Sequence, residues 1–317
     1  MGRNKGPRRP PAQKKPQLTH FLCLPLVTPS SKPQLEASLQ TFKQHVSPQD
    51  TKVEAEAEKA GDGGQGAVIP AVHSKSIRPV GALHCTLGVM SLDKNKLTEA
   101  IEYLQSLDVQ GLLKDVAGKP AVPEEPTLST NPSGGPTTLQ RPITPPKVNR
   151  ATAPLTVDLK GIESMHDPHK TSILYSAPLD ASGRLLPFCM ALQKQFKDKG
   201  FLVEDNRQLK LHATVVNTIY AKGRKRTPRH SAEQKAGESS QVGEQADEAQ
   251  GHGPKANAPL KIDATTIIER YKNFVWAENV VLDRVAICEM GAKKITDNEG
   301  NLVSEEYTEV AKISLPS

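Results

Sequence analysis

Two short stretches, His84-Cys85-Thr86-Leu87 and His212-Ala213-Thr214-Val215, decide how the rest of this chain is read. Each is a histidine, a small residue, a threonine and an aliphatic residue inside an apolar run, the composition of a buried strand. In Leu83 to Met90 a period of two puts His84, Thr86, Gly88 and Met90 on one face and Leu83, Cys85, Leu87 and Val89 on the other. In the second stretch His212, Thr214 and Val216 share a face, with Leu211, Ala213 and Val215 behind. The imidazole and hydroxyl therefore stand on the same side of each strand.

Working outward, the chain alternates strand and helix patterns with polar inserts. Leu18 to Val27 reads as a strand, and the helix after it can be capped by Ser30 or Ser31. Leu35, Leu39, Phe42 and Val46 form that helix's apolar face. Behind the first motif strand, Asp93 caps a second helix carrying Leu97, Ile101, Leu104 and Leu107. Leu155, Val157 and Leu159 alternate as a strand, and Ile173-Leu174-Tyr175 is its hairpin partner. A third helix over 184–199 stops at Gly200. After the second motif strand come a helix near 264–274, a strand over 280–290 and another over 306–315.

The 26 prolines, 22 glycines, 4% aromatic content and mean hydropathy of −0.48 mean that part of the 317 residues does not pack. The unpacked parts are a disordered basic arm over 1–16 and low-complexity inserts at about 47–76, 115–154 and 221–260. The remainder of 17–317 forms one bilobal domain. The net charge is +6, and the arm alone supplies Arg3, Lys5, Arg8, Arg9, Lys14 and Lys15. A basic nucleic-acid face on the folded body does not follow from that excess. The third insert opens with Lys222, Arg224, Lys225, Arg226 and Arg229, read as a solvated charged segment rather than an import or RNA-contact signal.

Cys23, Cys85, Cys189 and Cys288 are far apart in the chain and lack metal-ligand or redox spacing, so they read as reduced core thiols of an intracellular protein. No apolar run reaches the roughly 18 residues of a membrane span. His20, His45, His73, His166, His169, His230 and His252 have no partner motif and read as structural or surface residues. Asp167-Pro168-His169 reads as a turn, and Cys85 points to the back of its strand, away from chemistry.

Two in-phase H-x-T-x strands resemble the 2H phosphoesterase superfamily. Lys210-Leu211-His212-Ala213-Thr214-Val215-Val216-Asn217-Thr218, Gly161-Ile162-Glu163-Ser164-Met165 and Cys288-Glu289-Met290 are similar to one branch of it. That branch is the phosphoesterase-like domain shared by A-kinase anchor protein 7 and activating signal cointegrator complex subunit 1. The resemblance covers 18–46, 77–114, 155–220 and 261–317. It implies an α+β fold of two pseudo-symmetric lobes, each an antiparallel sheet packed on helices, with the motif strands meeting at a central cleft. Residues 1–17 contain no G-x-x-G loop, so the KH domain that accompanies one of these relatives is not expected here.

Cleaving a phosphodiester requires one group to take a proton and another to give one, and imidazole serves either role near neutral pH. His84 and His212 are the expected acid–base pair, their order left open, with Thr86 and Thr214 donating to the phosphoryl oxygens. No carboxylate cluster accompanies them, so the expected reaction uses neither metal nor cofactor. The expected ligand is RNA or a nucleotide with a 2′,3′-cyclic phosphate, a 2′,5′ linkage or a 3′ end. The alternative is a non-catalytic nucleotide- or RNA-binding module of a transcription-coactivator or repair complex. The expected location is the nucleus, the cytoplasm or both, with no membrane partner.

Overall fold

The computed structural model describes residues 16–46, 70–117, 153–221, 259–299 and 302–316. The basic arm, the bulk of the three inserts, and His230 and His252 lie outside the described residues.

Among the described residues ten strands and five α-helices follow one another, with short 3-10 turns between them. The strands are β1 His20–Pro25, β2 His84–Met90, β3 Thr156–Ser164, β4 Ile173–Leu179, β5 Ala213–Asn217, β6 Val275–Val281, β7 Arg284–Glu289, β8 Lys293–Thr296, β9 Leu302–Glu306 and β10 Glu309–Ser314. The helices are α1 Lys32–Val46, α2 Lys94–Ser106, α3 Val109–Ala117, α4 Leu185–Asp198 and α5 Thr265–Tyr271. Eight strands make one sheet in the order β10-β7-β1-β2-β5-β4-β3-β6, and β8 and β9 form a separate hairpin. Every strand pairing is antiparallel.

The fold is the α+β architecture expected. Its two antiparallel sheets are the halves of one continuous sheet, and the two motif strands lie side by side at its middle. The helices interlock the halves. α1 leaves β1 and packs on β6 at the opposite edge, where the Ser38 hydroxyl donates to the Trp276 carbonyl at 2.8 Å. α4 leaves the second half and packs on β2. One core results, running from Leu22, Leu24 and Leu87 to Phe188, Phe196 and Trp276.

Local chemistry explains the elements. Leu35, Leu39, Phe42 and Val46 are buried along α1, and Asp93 caps α2 by accepting from the Lys96 N–H at 2.9 Å. The Ser31 hydroxyl instead folds back to donate to the Leu26 carbonyl at 2.7 Å, tying α1 to the end of β1. Gly200 ends the α4 segment with φ +72°. Asp167 caps the 3-10 turn over Pro168–Lys170.

Some elements depart from expectation. The run over 280–290 is two strands, because the chain turns at Leu282-Asp283 between β6 and β7. α3 begins before the expected linker, with Leu113 in the core and Asp108 accepting from the Gly111 N–H at 2.8 Å. In the β8–β9 hairpin residues 293–296 and 303 are exposed and 304–306 half-buried, with no apolar alternation to announce it.

Gly161 sits in an irregular stretch of β3 with φ +69°, where an added Cβ would lie 2.8 Å from the Lys272 carbonyl oxygen. Its own N–H donates to Phe274 O and its carbonyl accepts from Trp276 Nε1, both at 2.7 Å. Gly161→Ala is expected to destabilise the protein by about 1–3 kcal/mol in urea unfolding, with the m-value unchanged.

Candidate active site

β2 and β5 are joined by the antiparallel pair Cys85↔Ala213. Residues paired directly across strands project to the same face. Cys85 and Ala213 are both buried, at 1% and 2% exposure. Their sequence neighbours therefore all turn to the opposite, half-buried face. Carrying the register one residue each way sets His84 across from Thr214 and Thr86 across from His212. The two histidines occupy diagonal positions, with Cβ atoms on the order of 7–8 Å apart. The four residues singled out in the sequence thus stand as a square on one patch of sheet.

The two motifs match in detail. His84 Nδ1 lies 2.9 Å from the Ala82 carbonyl, and His212 Nδ1 lies 2.7 Å from the Lys210 carbonyl. A carbonyl only accepts, so each Nδ1 donates, and in the neutral ring each Nε2 carries the lone pair. Among the described residues no protein group bonds to either Nε2 or to the Thr86 and Thr214 hydroxyls.

Each motif also has a bulge at its fourth residue. Against β1 the register passes from Cys23↔Thr86 to Leu22↔Gly88, leaving Leu87 as the extra residue. Against β4 it passes from Tyr175↔Thr214 to Leu174↔Val216, leaving Val215 extra. The freed carbonyls find donors elsewhere: Leu87 O accepts from Gln193 Nε2 of α4, and Val215 O from the Arg78 N–H, both at 2.7 Å. A bulge reverses the facing of the residues after it, which corrects the simple alternation. Met90 goes to the main core, and Val89 joins the cleft-side cluster of Phe21, Cys23, Ala286 and Cys288. Val216 is likewise buried in the main core.

Aromatic rings wall the square. The Phe21 ring lies 4.8 Å from the His84 ring and the Tyr307 ring 5.1 Å from it. On the other side Tyr175 meets the His212 ring edge-on at 5.5 Å, and Lys210 Nζ sits 4.6 Å from the Tyr175 ring centre. The Tyr175 hydroxyl donates to Glu163, which also lies 3.9 Å from Lys210 Nζ. Beside His84 opens a cavity of about 130 Å³ lined by Phe21, Leu83, Glu306 and Tyr307.

Burial drives the His84 imidazole down to about 4, helped by the Arg78 and His212 charges and opposed by the bond to Ala82. At neutral pH it is an unprotonated base. Burial pushes the Cys85 thiol up to about 12, so it carries no thiolate near neutral pH, in line with its place on the back face. Burial, then the bond to Glu163, pushes the Tyr175 phenol up.

Sequence patterning did not find Arg78, Phe21, Tyr175, Lys210 or Tyr307 as site residues. Lys210 had a signal, since it lies two residues before His212. The others come from strands and turns whose neighbours only the register reveals. All four cysteines are free and buried, and Cys23 and Cys288, remote in the chain, lie with sulfurs 3.7 Å apart.

The profile of the family described as AKAP7 2'5' RNA ligase-like domain matches residues 18–299. An uncharacterised Schizosaccharomyces pombe protein is 24% identical over 157 residues, 49% of this chain and 57% of its own length. Activating signal cointegrator 1 complex subunit 1 of Mus musculus is 38% identical over 72 residues, 22% of this chain and 20% of its own. These matches span 57% or less of either curated relative. Among solved structures, E. coli LigT complexed with 3'-AMP is 11% identical with a TM-score of 0.40, covering 96% of this chain and 100% of that one. Another, described as a phosphoesterase, is 12% identical with a TM-score of 0.41, covering 96% and 100%. With the family profile matching most of its length, this chain belongs to the AKAP7 2'5' RNA ligase-like domain family.

Proposed function

We propose that the protein is a metal-independent phosphoesterase acting on RNA or oligonucleotide phosphodiesters, with His84 as general base and His212 as general acid. One observation carries this reading. Two imidazoles at diagonal positions on one sheet face are each anchored through Nδ1, and neither Nε2 has a bonding partner among the described residues. Opening a 2′,3′-cyclic phosphate then runs in one displacement. His84 Nε2 takes a proton from water as the water oxygen bonds to phosphorus. The bond from phosphorus to one ribose oxygen breaks, and His212, protonated on both nitrogens, delivers its Nε2 proton to that oxygen. A phosphate monoester and a free hydroxyl result. The unpartnered hydroxyls of Thr86 and Thr214 donate to the nonbridging oxygens as charge builds on them.

The depressed basicity of His84 supports its assignment as the base, because at neutral pH it is ready to accept a proton without first losing one. The cavity beside it leaves room for part of the nucleoside. The likeness to Activating signal cointegrator 1 complex subunit 1 supports a second reading, a nucleotide- or RNA-binding module of a coactivator or repair assembly in which the same square binds without turnover.

The deciding experiment incubates the purified protein with 2′,3′-cyclic-phosphate, 2′,5′-linked and 3′,5′-linked oligonucleotides in EDTA. Turnover is expected, with His84→Ala and His212→Ala each losing about 10²–10⁴-fold in kcat while their circular dichroism stays that of the wild type. Tight binding with no turnover of any substrate selects the binding module.

The pH dependence of kcat/KM is a separate check. Below the folded value of His84, near 4, the base is protonated and activity falls. The acid limb of the profile therefore lies well below the ordinary histidine value of about 6.5. An acid limb centred on about 6.5 removes His84 as the base.

A further inference from the structure

Arg78 is a buried cation that lacks a counter-charge. It is 6% exposed, and among the described residues no carboxylate lies within ion-pair distance of it. Its one side-chain hydrogen bond among them runs from Nη2 to the Tyr307 hydroxyl, at a long 3.4 Å. Its guanidinium carbon lies 4.1 Å from the centre of the Tyr220 ring, and the Tyr220 and Tyr307 hydroxyls bond to each other. Tyr220 itself is 42% exposed, so this cluster reaches the protein surface.

A guanidinium withdrawn from water with only phenols bonded to or stacked on it among the described residues is costly unless an anion completes it. Its position is not accidental. The Arg78 N–H closes the bulge at Val215, and Ile77 pairs with Val216, so the second motif strand holds this arginine's backbone in place. The Tyr307 ring bridges the interval to the first motif, lying against His84 at one end and taking the guanidinium bond at its hydroxyl. Arg78 makes no hydrogen bond to His84, yet its charge acts on that imidazole. It is near the square without belonging to it, with the Tyr307 ring between its guanidinium and His84.

We infer that Arg78, with the Tyr307 and Tyr220 phenols, forms an anion subsite that receives a second phosphoryl group of the substrate, next along from the one placed between the histidines. The ligand class is accordingly a nucleotide carrying two phosphates, as in the interior of an oligonucleotide or at a phosphorylated end. Guanidinium suits this role because its planar donors match phosphate oxygens and it stays charged at every working pH. The Tyr220 ring keeps the group oriented while it waits for a ligand. The inference rests on the preceding reading of the square as a phosphate site, but it concerns binding and does not need turnover.

The test is calorimetric, on the full chain in EDTA, with adenosine 3′-monophosphate against adenosine 3′,5′-bisphosphate and adenosine 2′,5′-bisphosphate. The wild type is expected to bind at least one bisphosphate about tenfold or more tighter than the monophosphate, the gain of charge-assisted bonds to one more anion. Arg78→Met should abolish that preference, Arg78→Lys retain part of it, and Tyr220→Ala, at an exposed position with little bearing on folding, reduce it. Thermal melts of each variant verify folding. Equal affinity of the wild type for all three nucleotides overturns the inference. So does an equal loss for mono- and bisphosphates in Arg78→Met, which would assign the arginine to the phosphate between the histidines. Binding of none of the three overturns it together with the reading of the square. A bisphosphate preference in a protein that turns over no substrate upholds the subsite and removes only the enzyme.

Discussion

The site depends on one strand pairing, Cys85 opposite Ala213. Because side chains alternate along a strand, a slip of a single residue in that register would bury one histidine among aliphatic side chains and turn a small residue into the cleft. The pairing itself is short. What holds it is burial behind it, where Cys85, Leu87, Ala213 and Val215 join the core. The crossing of α1 to β6 and of α4 to β2 adds to this, since neither half of the sheet can shift without tearing a helix from the other.

The bulges and the tautomers follow from that arrangement. The bulge after each threonine turns Met90 and Val216 into the core, while Val89 faces the cleft-side cluster around Phe21. The released carbonyls are bonded from outside the motif, by Gln193 on one side and Arg78 on the other. The carbonyls of Ala82 and Lys210 set the histidine rings. Two imidazoles separate in the chain thus reach the same protonation geometry by the same local device. Their surroundings then differ, with Phe21, Tyr307 and Arg78 near His84, and Tyr175, Lys210 and Glu163 near His212. The two imidazoles are thus held alike but surrounded differently.

Much of this was legible residue by residue. The strands containing Leu22, Val157 and Ile173, the α1 face from Leu35 to Val46, the Asp93 cap and the Gly200 stop all rest on local spacing and backbone preference, which a linear chain displays. Legibility failed where no local signal exists. A bulge does not disturb composition, so Met90 and Val216 were placed on the wrong face. The turn at Asp283 lies between two apolar runs and was read through. The β8–β9 hairpin has no apolar row, and α3 runs into a proline-rich stretch that masked it.

The sequence by itself determined that two histidine–threonine strands exist, that each presents both polar groups to one side, and that helices with single apolar faces must cover the reverse. These are consequences of period two and period 3.6, which belong to each segment alone. Only the tertiary structure decided that the two polar sides coincide, that neither Nε2 is bonded among the described residues, and that a buried arginine from a turn stands near them. Those facts rest on contacts between segments remote in the chain, and pairing register, bulge position and the partner of a buried charge are properties of two segments together, which neither carries alone.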